Sequence, residues 1–349
     1  MESEVVGLGA LDAPDNPLSL QFIHQLPGDS LSSFAYSRAL RPWLRSNVKR
    51  FDGVVLHGVW TYADWVAAQE CWSANVPYAQ FPHGMLEPWS VQGQGAGKSA
   101  KKWLYWWLRQ RRICERARFL LFTTEREKVL TTGLFAPRTG AKVLAPYGVN
   151  AVLPDATIPS RSDLIQPVDR RIALFLGRVH PKKNLEFLIE AWGRARPGAA
   201  WRLVVAGPIE PGYRFVLDRQ ISRWGLEDEV QFVGFVSASD KDYLLQRANW
   251  FLLPSRQENF GVAVLEAVSQ GCAVAISDQV YLADSFCADA EVLPVSLGAW
   301  IEFMQNRMPD QAWRDKRAQD DRKYLLKKFE SGEITRNWVQ SFQTIFCPS

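Results

Sequence analysis

The sequence predicts an α/β protein with two doubly wound domains, and three observations carry that expectation. Apolar runs of strand type alternate with amphipathic stretches of helical period along most of the chain. The strand runs are apolar throughout rather than at every second residue, as expected where helices cover both faces of a parallel sheet. Finally, 349 residues of ordinary globular composition, 47% apolar and 22% charged, exceed what one core of this kind usually encloses.

The elements follow in order. The chain opens on a strand at Glu4–Leu8, and Leu20–His24, Val54–His57, Tyr78–Phe81, Phe119–Phe122 and Val143–Ala145 are the next strand candidates. Pro154, Pro159 and Pro167 mark Ala151–Asp169 as a linker. From Arg171 the alternation is more regular, with strands at Ile172–Leu176, Leu203–Ala206, Val230–Val233, Trp250–Leu253 and Ala273–Ile276. Between them lie helices at Asn184–Ala195, Tyr213–Trp224, Asp240–Ala248 and Val262–Gln270, and Trp313–Phe346 forms closing helices. The expected domains span residues 1–155 and 165–330.

Composition narrows the function. Every apolar run is too short or too charged for a transmembrane helix, and the acidic start Met1-Glu-Ser-Glu lacks the basic and apolar regions of a signal peptide. Five scattered cysteines, none in a CxxC pair, are expected to be reduced cytosolic thiols, and no zinc site is visible. Residues 1–150 hold 17 Lys/Arg against 12 Asp/Glu, whereas the remainder holds 24 against 25, so the basic excess belongs to the first half.

Ligands of open α/β sheets bind beyond the carboxyl ends of the strands, so motifs at those ends are the candidate site. The strand Asn249–Leu253 is closed by Pro254 and Ser255, and Gly261 then opens an apolar helix that stops at Gly271. Such a start directs unpaired N–H groups of Asn259, Phe260, Gly261 and Val262 outward, which suits a phosphate. Glu258 in the loop and Glu266 just over one turn into the helix could accept hydroxyls from two places on an elongated ligand, a polyol joined to a diphosphate and a ribose. By spacing alone, a loop glutamate plus a solvated helix glutamate is the favoured reading. After the strand that begins the second half, Gly177 permits a tight turn, and Arg178 and Lys183 bracket a short loop where two cations could neutralise a diphosphate. Gly207 and Gly234 end two further strands. In the first half, His57-Gly58 and His83-Gly84 tip two strands, with Glu87 close by in sequence. A strand-capping, structural role is favoured for His57.

Two other patterns fail. Gly93–Ser99 has the wrong glycine count for a P-loop, and Pro14 and Pro17 deny Val5–Gly9 the helix that a dinucleotide fingerprint needs. Asp240-Lys-Asp242 is a helix start rather than a metal site. Lys98–Arg118 carries eight cations against Glu115 alone, with Trp103–Leu108 interleaved. It is either an ordinary packed helix or one that rests on an anionic bilayer, and no nucleic-acid module accompanies it.

The order of the Arg/Lys loop, the glycine strand ends and the two-glutamate motif across residues 171–278 resembles the donor half of the retaining glycosyltransferases of family 4. The resemblance implies a GT-B fold, two Rossmann-like domains facing across a cleft, with a last helix at about 333–349 packing back on the first domain. It implies transfer of a sugar, with retention, from a nucleotide diphosphate sugar to a hydroxyl of a glycan or lipid-linked acceptor. Surface polysaccharide or glycolipid assembly is the expected setting, in the cytoplasm or peripherally at the inner face of the membrane. Arg178 and Lys183, rather than Lys182, match the diphosphate-binding pair, Glu258 the sugar-hydroxyl acceptor and Glu266 the ribose acceptor. Gly177 and the backbone at Asn259–Val262 border the donor, Gly234 lies beside the base, and His83 matches a position facing the sugar. No cofactor and no metal are expected, since protein cations take that role. The family usually begins with a strand and a glycine-rich loop, whereas this chain opens at its second strand. Either the true start lies upstream or that unit is absent. The alternatives are a donor-binding subunit impaired in catalysis and a nucleotide-sugar epimerase.

Overall fold

The structure, a computed structural model, describes residues 2–8, 23–28, 34–92, 95–135, 141–150, 159–161, 164–165 and 170–346. Leu20, Gly9, Pro14, Pro17, Gly93 and most of the expected linker lie outside the described residues. The chain divides into two compact units, Met1–Pro146 with Thr335–Ser349, and Tyr147–Ile334.

The first unit holds β1 (Val5–Leu8), β2 (Ile23–Leu26), β3 (Val54–His57), β4 (Tyr78–Phe81), β5 (Phe119–Phe122) and β6 (Ala141–Leu144). The strands β3-β4-β5-β6 form one parallel sheet in chain order. By contrast, β1 and β2 pair in parallel only with each other, so the expected single sheet is divided among the described residues. All four residues of β4 are buried, as a central parallel strand with helices on both faces requires. The last helix, Ser331–Phe346, brings Trp338, Phe342 and Phe346 onto this sheet beside Phe81 and Phe119, and Trp338 Nε1 donates to the Pro146 carbonyl at 3.2 Å. A side chain at Gly53 would meet the Phe346 ring at 2.3 Å, so the helix packs directly on backbone there.

The second unit holds β7 (Arg171–Leu176), β8 (Trp201–Ala206), β9 (Val230–Gly234), β10 (Trp250–Leu253), β11 (Ala273–Ser277) and β12 (Glu291–Leu293). They form one parallel sheet in the order β12-β11-β10-β7-β8-β9. The core centres on β7, β10 and β11, whose interior residues are almost all fully buried. Trp250 is among the largest, and its indole N–H donates to the Met308 carbonyl at 3.1 Å. Its truncation to Ala would cost about 3–5 kcal/mol. Tyr147–Asn150 belong to this unit, since Val149 exchanges backbone hydrogen bonds of 2.9 Å with Phe329 and Ser331. The helix Gln311–Phe329 is capped by Asp310, whose side chain accepts from Trp313 N at 3.0 Å, and Glu330 breaks the chain before the last helix.

Candidate functional site

The strand order makes β7 and β10 neighbours, with β8 and β9 on one side and β11 and β12 on the other. Successive crossovers therefore leave in opposite directions between β7 and β10, which opens the sheet at their carboxyl ends. Two loops fill that point, Gly177–Asn184 after β7 and Pro254–Gly261 after β10. They are stitched together. Arg256 N donates to Lys182 O at 3.0 Å, and the buried Asn184 side chain donates to Pro254 O at 3.2 Å while accepting from Arg256 Nε at 2.9 Å. Asn184 has φ 61°, a left-handed conformation that asparagine tolerates better than most residues. Sequence reading did not find Asn184 or Arg256, because only the adjacency of β7 and β10 brings them together.

Within the first loop, His180 Nδ1 accepts from Lys182 N at 3.0 Å and shapes the turn Pro181–Lys183. Burial, and then the Arg178 charge, hold the His180 pKa below its ordinary value, which keeps that nitrogen an acceptor. The Lys183 ammonium forms an ion pair with the Glu258 carboxylate, each side chain about one-fifth exposed. Arg178 is exposed and, among the described residues, pairs with no carboxylate. The structure thus joins Lys183 to Glu258 and leaves Arg178 on the same loop.

Glu258 is held by its backbone, which donates to Gln279 O at 3.0 Å and accepts from Tyr281 N at 3.0 Å. The Phe260 ring is buried against Tyr147 and Phe329, so only its backbone reaches the loop surface. Gly261 has φ 83°, and a side chain there would come within 3.0 Å of Val280. The helix Val262–Ser269 that follows has no side-chain cap, and its bonding starts with Val264 N to Gly261 O at 2.8 Å, which leaves the Val262 and Ala263 N–H groups ahead of it. Glu266 joins Lys241 at 2.6 Å rather than Glu258. Lys241 was missed, lying 25 positions away on the helix Ala238–Arg247, which Ser237 starts by accepting from Asp240 N at 3.1 Å. Gly177 and Gly207 extend the ladder beyond β7 and β8, with Gly177 N bonded to Ala206 O at 3.0 Å and Gly207 N to Gly234 O at 2.7 Å. Just past Gly234, Phe235 is 75% exposed, and Arg161 Nη1 anchors this strand end through Val233 O at 3.0 Å.

In the first unit the two His-Gly strand ends meet. His57 ends β3 and His83 follows β4, its neighbour, and the rings are hydrogen bonded, Nδ1 to Nε2, at 2.9 Å. They stack at 5.2 Å with planes 12° apart, and Phe81 stacks on His83 at 4.0 Å. Loss of hydration, and then the neighbouring His57, lower His83 to about 4, and packing lowers His57 as well. Both rings are therefore neutral at pH 7. The structure gives His57 a partner beyond the capping role expected of it. Glu87, close to His83 in sequence, is fully buried.

Comparison with known proteins matches residues 159–304 to the family described as glycosyl transferases group 1, and residues 4–146 to a glycosyl transferase 4-like domain. O-antigen chain mannosyltransferase B of Escherichia coli is 30% identical over 149 residues, covering 41% of this chain and 38% of that protein. GDP-mannose:cellobiosyl-diphosphopolyprenol alpha-mannosyltransferase of Xanthomonas oryzae pv. oryzae is 30% identical over 139 residues, 40% of this chain and 37% of that protein. The matched stretch thus spans well under half the length of these relatives. Among solved structures, Anabaena HepE in complex with UDP and glucose superposes with a TM-score of 0.72 at 16% identity, covering 92% of this chain and 86% of that one. The fold is that of the GT-B glycosyltransferases, α/β with parallel sheets. By its two matched segments the chain belongs to the glycosyl transferases group 1 family, with a glycosyl transferase 4-like domain preceding the group 1 domain.

Proposed function

We propose that the protein transfers a sugar, with retention of configuration, from a nucleotide diphosphate sugar to a hydroxyl acceptor. The observation that carries this reading is the interlocked pair of loops at the β7/β10 junction, which pairs Lys183 with Glu258, leads into a helix without a side-chain cap and carries Arg178 on the first loop. Cations and oriented amides placed where charge grows on a departing diphosphate supply the largest electrostatic term available to such a reaction. Arg178 and Lys183 stabilise the leaving diphosphate, and the amides of Asn259–Val262 support sugar and phosphate. Glu258 accepts sugar hydroxyls, Glu266 the ribose hydroxyls, and Gly177 and Gly234 border the nucleotide. Phe235 offers an exposed ring to the base. His83 is assigned to the sugar. The acceptor oxygen bonds to the anomeric carbon as the bond from that carbon to the diphosphate oxygen breaks, and the acceptor proton passes to the departing phosphate. Because protein cations neutralise the diphosphate, no divalent metal takes part, and chelator is expected to leave turnover unchanged.

The named relatives support a role in surface glycan or glycolipid assembly, one of them acting on a diphosphopolyprenol substrate. We place the protein in the cytoplasm, peripheral to the membrane that carries such an acceptor. Leu104, Trp107 and Leu108 are each about 60% exposed on a helical stretch where Lys98, Lys101 and Arg112 are exposed too, a pattern suited to an anionic bilayer surface. No helix among the described residues is long and apolar enough to cross a membrane.

A thermal-shift screen of nucleotide sugars, GDP-mannose and UDP-glucose first, tests the donor site. A stabilising donor whose effect is lost in Lys183→Ala is the expected result, and no stabilisation by any nucleotide sugar overturns it. Co-sedimentation with phosphatidylglycerol vesicles tests the surface, and binding unchanged by L104S/W107S/L108S rejects it.

A further inference from the structure

We infer that Glu127 is a positioning residue that holds the His83–Gly84 turn, and through it the His57–His83 pair, in a fixed strained geometry. Glu127 lies in the first turn of the helix Glu125–Phe135 and is fully buried. One carboxylate oxygen accepts from Gly84 N at 2.6 Å, and the other accepts from Thr123 N at 2.7 Å and Thr123 Oγ1 at 2.8 Å. The Thr123 bonds alone would describe a helix start closing on its own approach. The bond to Gly84 does not fit that description, because it spans 43 positions and ties the turn after β4 to the residue after β5.

The turn it grips is unusual. His83 and Gly84 have φ 51° and 74°, and Gly58 and Trp60, beyond the neighbouring strand, have φ 86° and 72°. Two of these four carry side chains, and such conformations persist only where the surroundings over-determine them. The surroundings do so from below. The Gln80 side chain donates to Gly58 O, Gln110 Oε1 accepts from Trp60 N at 3.1 Å, and Trp60 Nε1 donates to Met85 O at 3.1 Å. Glu127 supplies the corresponding hold on the His83 side. Here one carboxylate accepts from three donors, the Gly84 N–H, the Thr123 N–H and the Thr123 hydroxyl. Alanine at this position removes both holds, whereas glutamine can keep Gly84 on its carbonyl oxygen and turn its NH₂ to the Thr123 hydroxyl, which also accepts.

That the held geometry serves sugar transfer rests on the function proposed above, whereas the hold itself is tested on the protein without ligand. The four histidines make this tractable, because imidazole ¹H–¹⁵N spectra need resolve only His24, His57, His83 and His180. In Glu127→Ala, with fold confirmed by circular dichroism, the Gly84 amide is expected to exchange at least tenfold faster. The His57 and His83 resonances should move while those of His24 and His180 stay. Unchanged Gly84 exchange and unmoved His57 and His83 would overturn the inference. Should Glu127→Ala not fold, the wild-type Gly84 amide decides instead: slow exchange supports the hold, and exchange at the rate of an open loop rejects it. With GDP-mannose or UDP-glucose as donor, E127A is expected to lower kcat tenfold or more at unchanged donor affinity. Unchanged kcat rejects the positioning role. A wild type inactive with every nucleotide sugar would instead overturn the proposed function and leave the hold standing.

Discussion

The strand-end constellations of the two units are built in opposite ways. In the second unit, Lys183, Glu258, Glu266 and Lys241 are ionised groups on or beside loops, between one-fifth and one-third exposed and paired with each other. In the first unit, His57 and His83 are neutral at pH 7, and fully buried Glu127, Gln80 and Gln110 hold their loops from beneath. Charges that keep access to solvent change partners at less cost than fully buried ones, fully exposed pairs contributing only about 0–1 kcal/mol. Buried polar holds cannot, because an orphaned group costs about 1–3 kcal/mol. The second unit is thus suited to exchanging protein counter-ions for those of a ligand, and the first to keeping one geometry.

The largest expected effect on this contrast is kinetic. Lys183→Ala and Glu258→Ala should each lower transfer about 10²–10³-fold, the scale of losing one charge-stabilising group, with an unchanged melting temperature. A matching fall in stability would show that the pair is a structural brace. Next comes Gly207→Ala, where φ is 133° and the new methyl would stand 2.0 Å from Gly177 O. Overpacking against backbone should cost about 3 kcal/mol in denaturant unfolding, and a neutral result would mean that the strand ends can part.

A smaller effect belongs to Asp64, buried beneath the first unit's loops, whose carboxyl lies close to the Gln110 and Gln80 side chains without a well-formed hydrogen bond. Burial raises its pKa from 3.8 to about 7. With the folded value raised, stability is fullest below the unfolded value and falls as pH rises from about 4 to about 7, because the unfolded chain ionises first. Asp64→Asn is therefore expected to stabilise at pH 8 by about 2 kcal/mol, within the limit of about 4 kcal/mol set by the shift. At pH 4 the gain should vanish, and an equal gain at both pH values would contradict the assignment. The smallest effect runs the other way. His83, lowered to about 4, and His57, lowered too, favour the folded state at neutral pH and lose that contribution as pH falls from about 6.5. A His83 titration midpoint near 6.5 by NMR would remove the neutral pair.

The same contrast explains what was legible in the sequence. β3, β4, β5 and β10 fall on the expected residues because parallel strands buried on both faces are short apolar runs with clear stops. Gly177, Gly234 and Gly261 stand at positive φ at strand and helix ends, where a glycine in the sequence is itself the signal. β12 was missed because it is three residues long and begins with Glu291, a residue type that argues against a buried strand. Its carboxylate is buried nonetheless, accepting from Arg307 at 3.0 Å and from the Trp313 indole at 2.6 Å. Lys241, Glu127 and the buried state of Glu87 were invisible for a related reason, since each depends on residues distant in the chain. Trp107 and Leu108 stand exposed side by side on a stretch, Trp106–Gln110, that winds as a π-helix.

The three glycines that end β7, β8 and β9 have one more consequence. Hydrogen bonding continues past the last side chains of the strands, so the sheet finishes there as a bare amide shelf. A flat ring could lie against that shelf at van der Waals distance, read by backbone alone, since even a methyl at Gly177 or Gly234 would meet no protein atom within 4 Å.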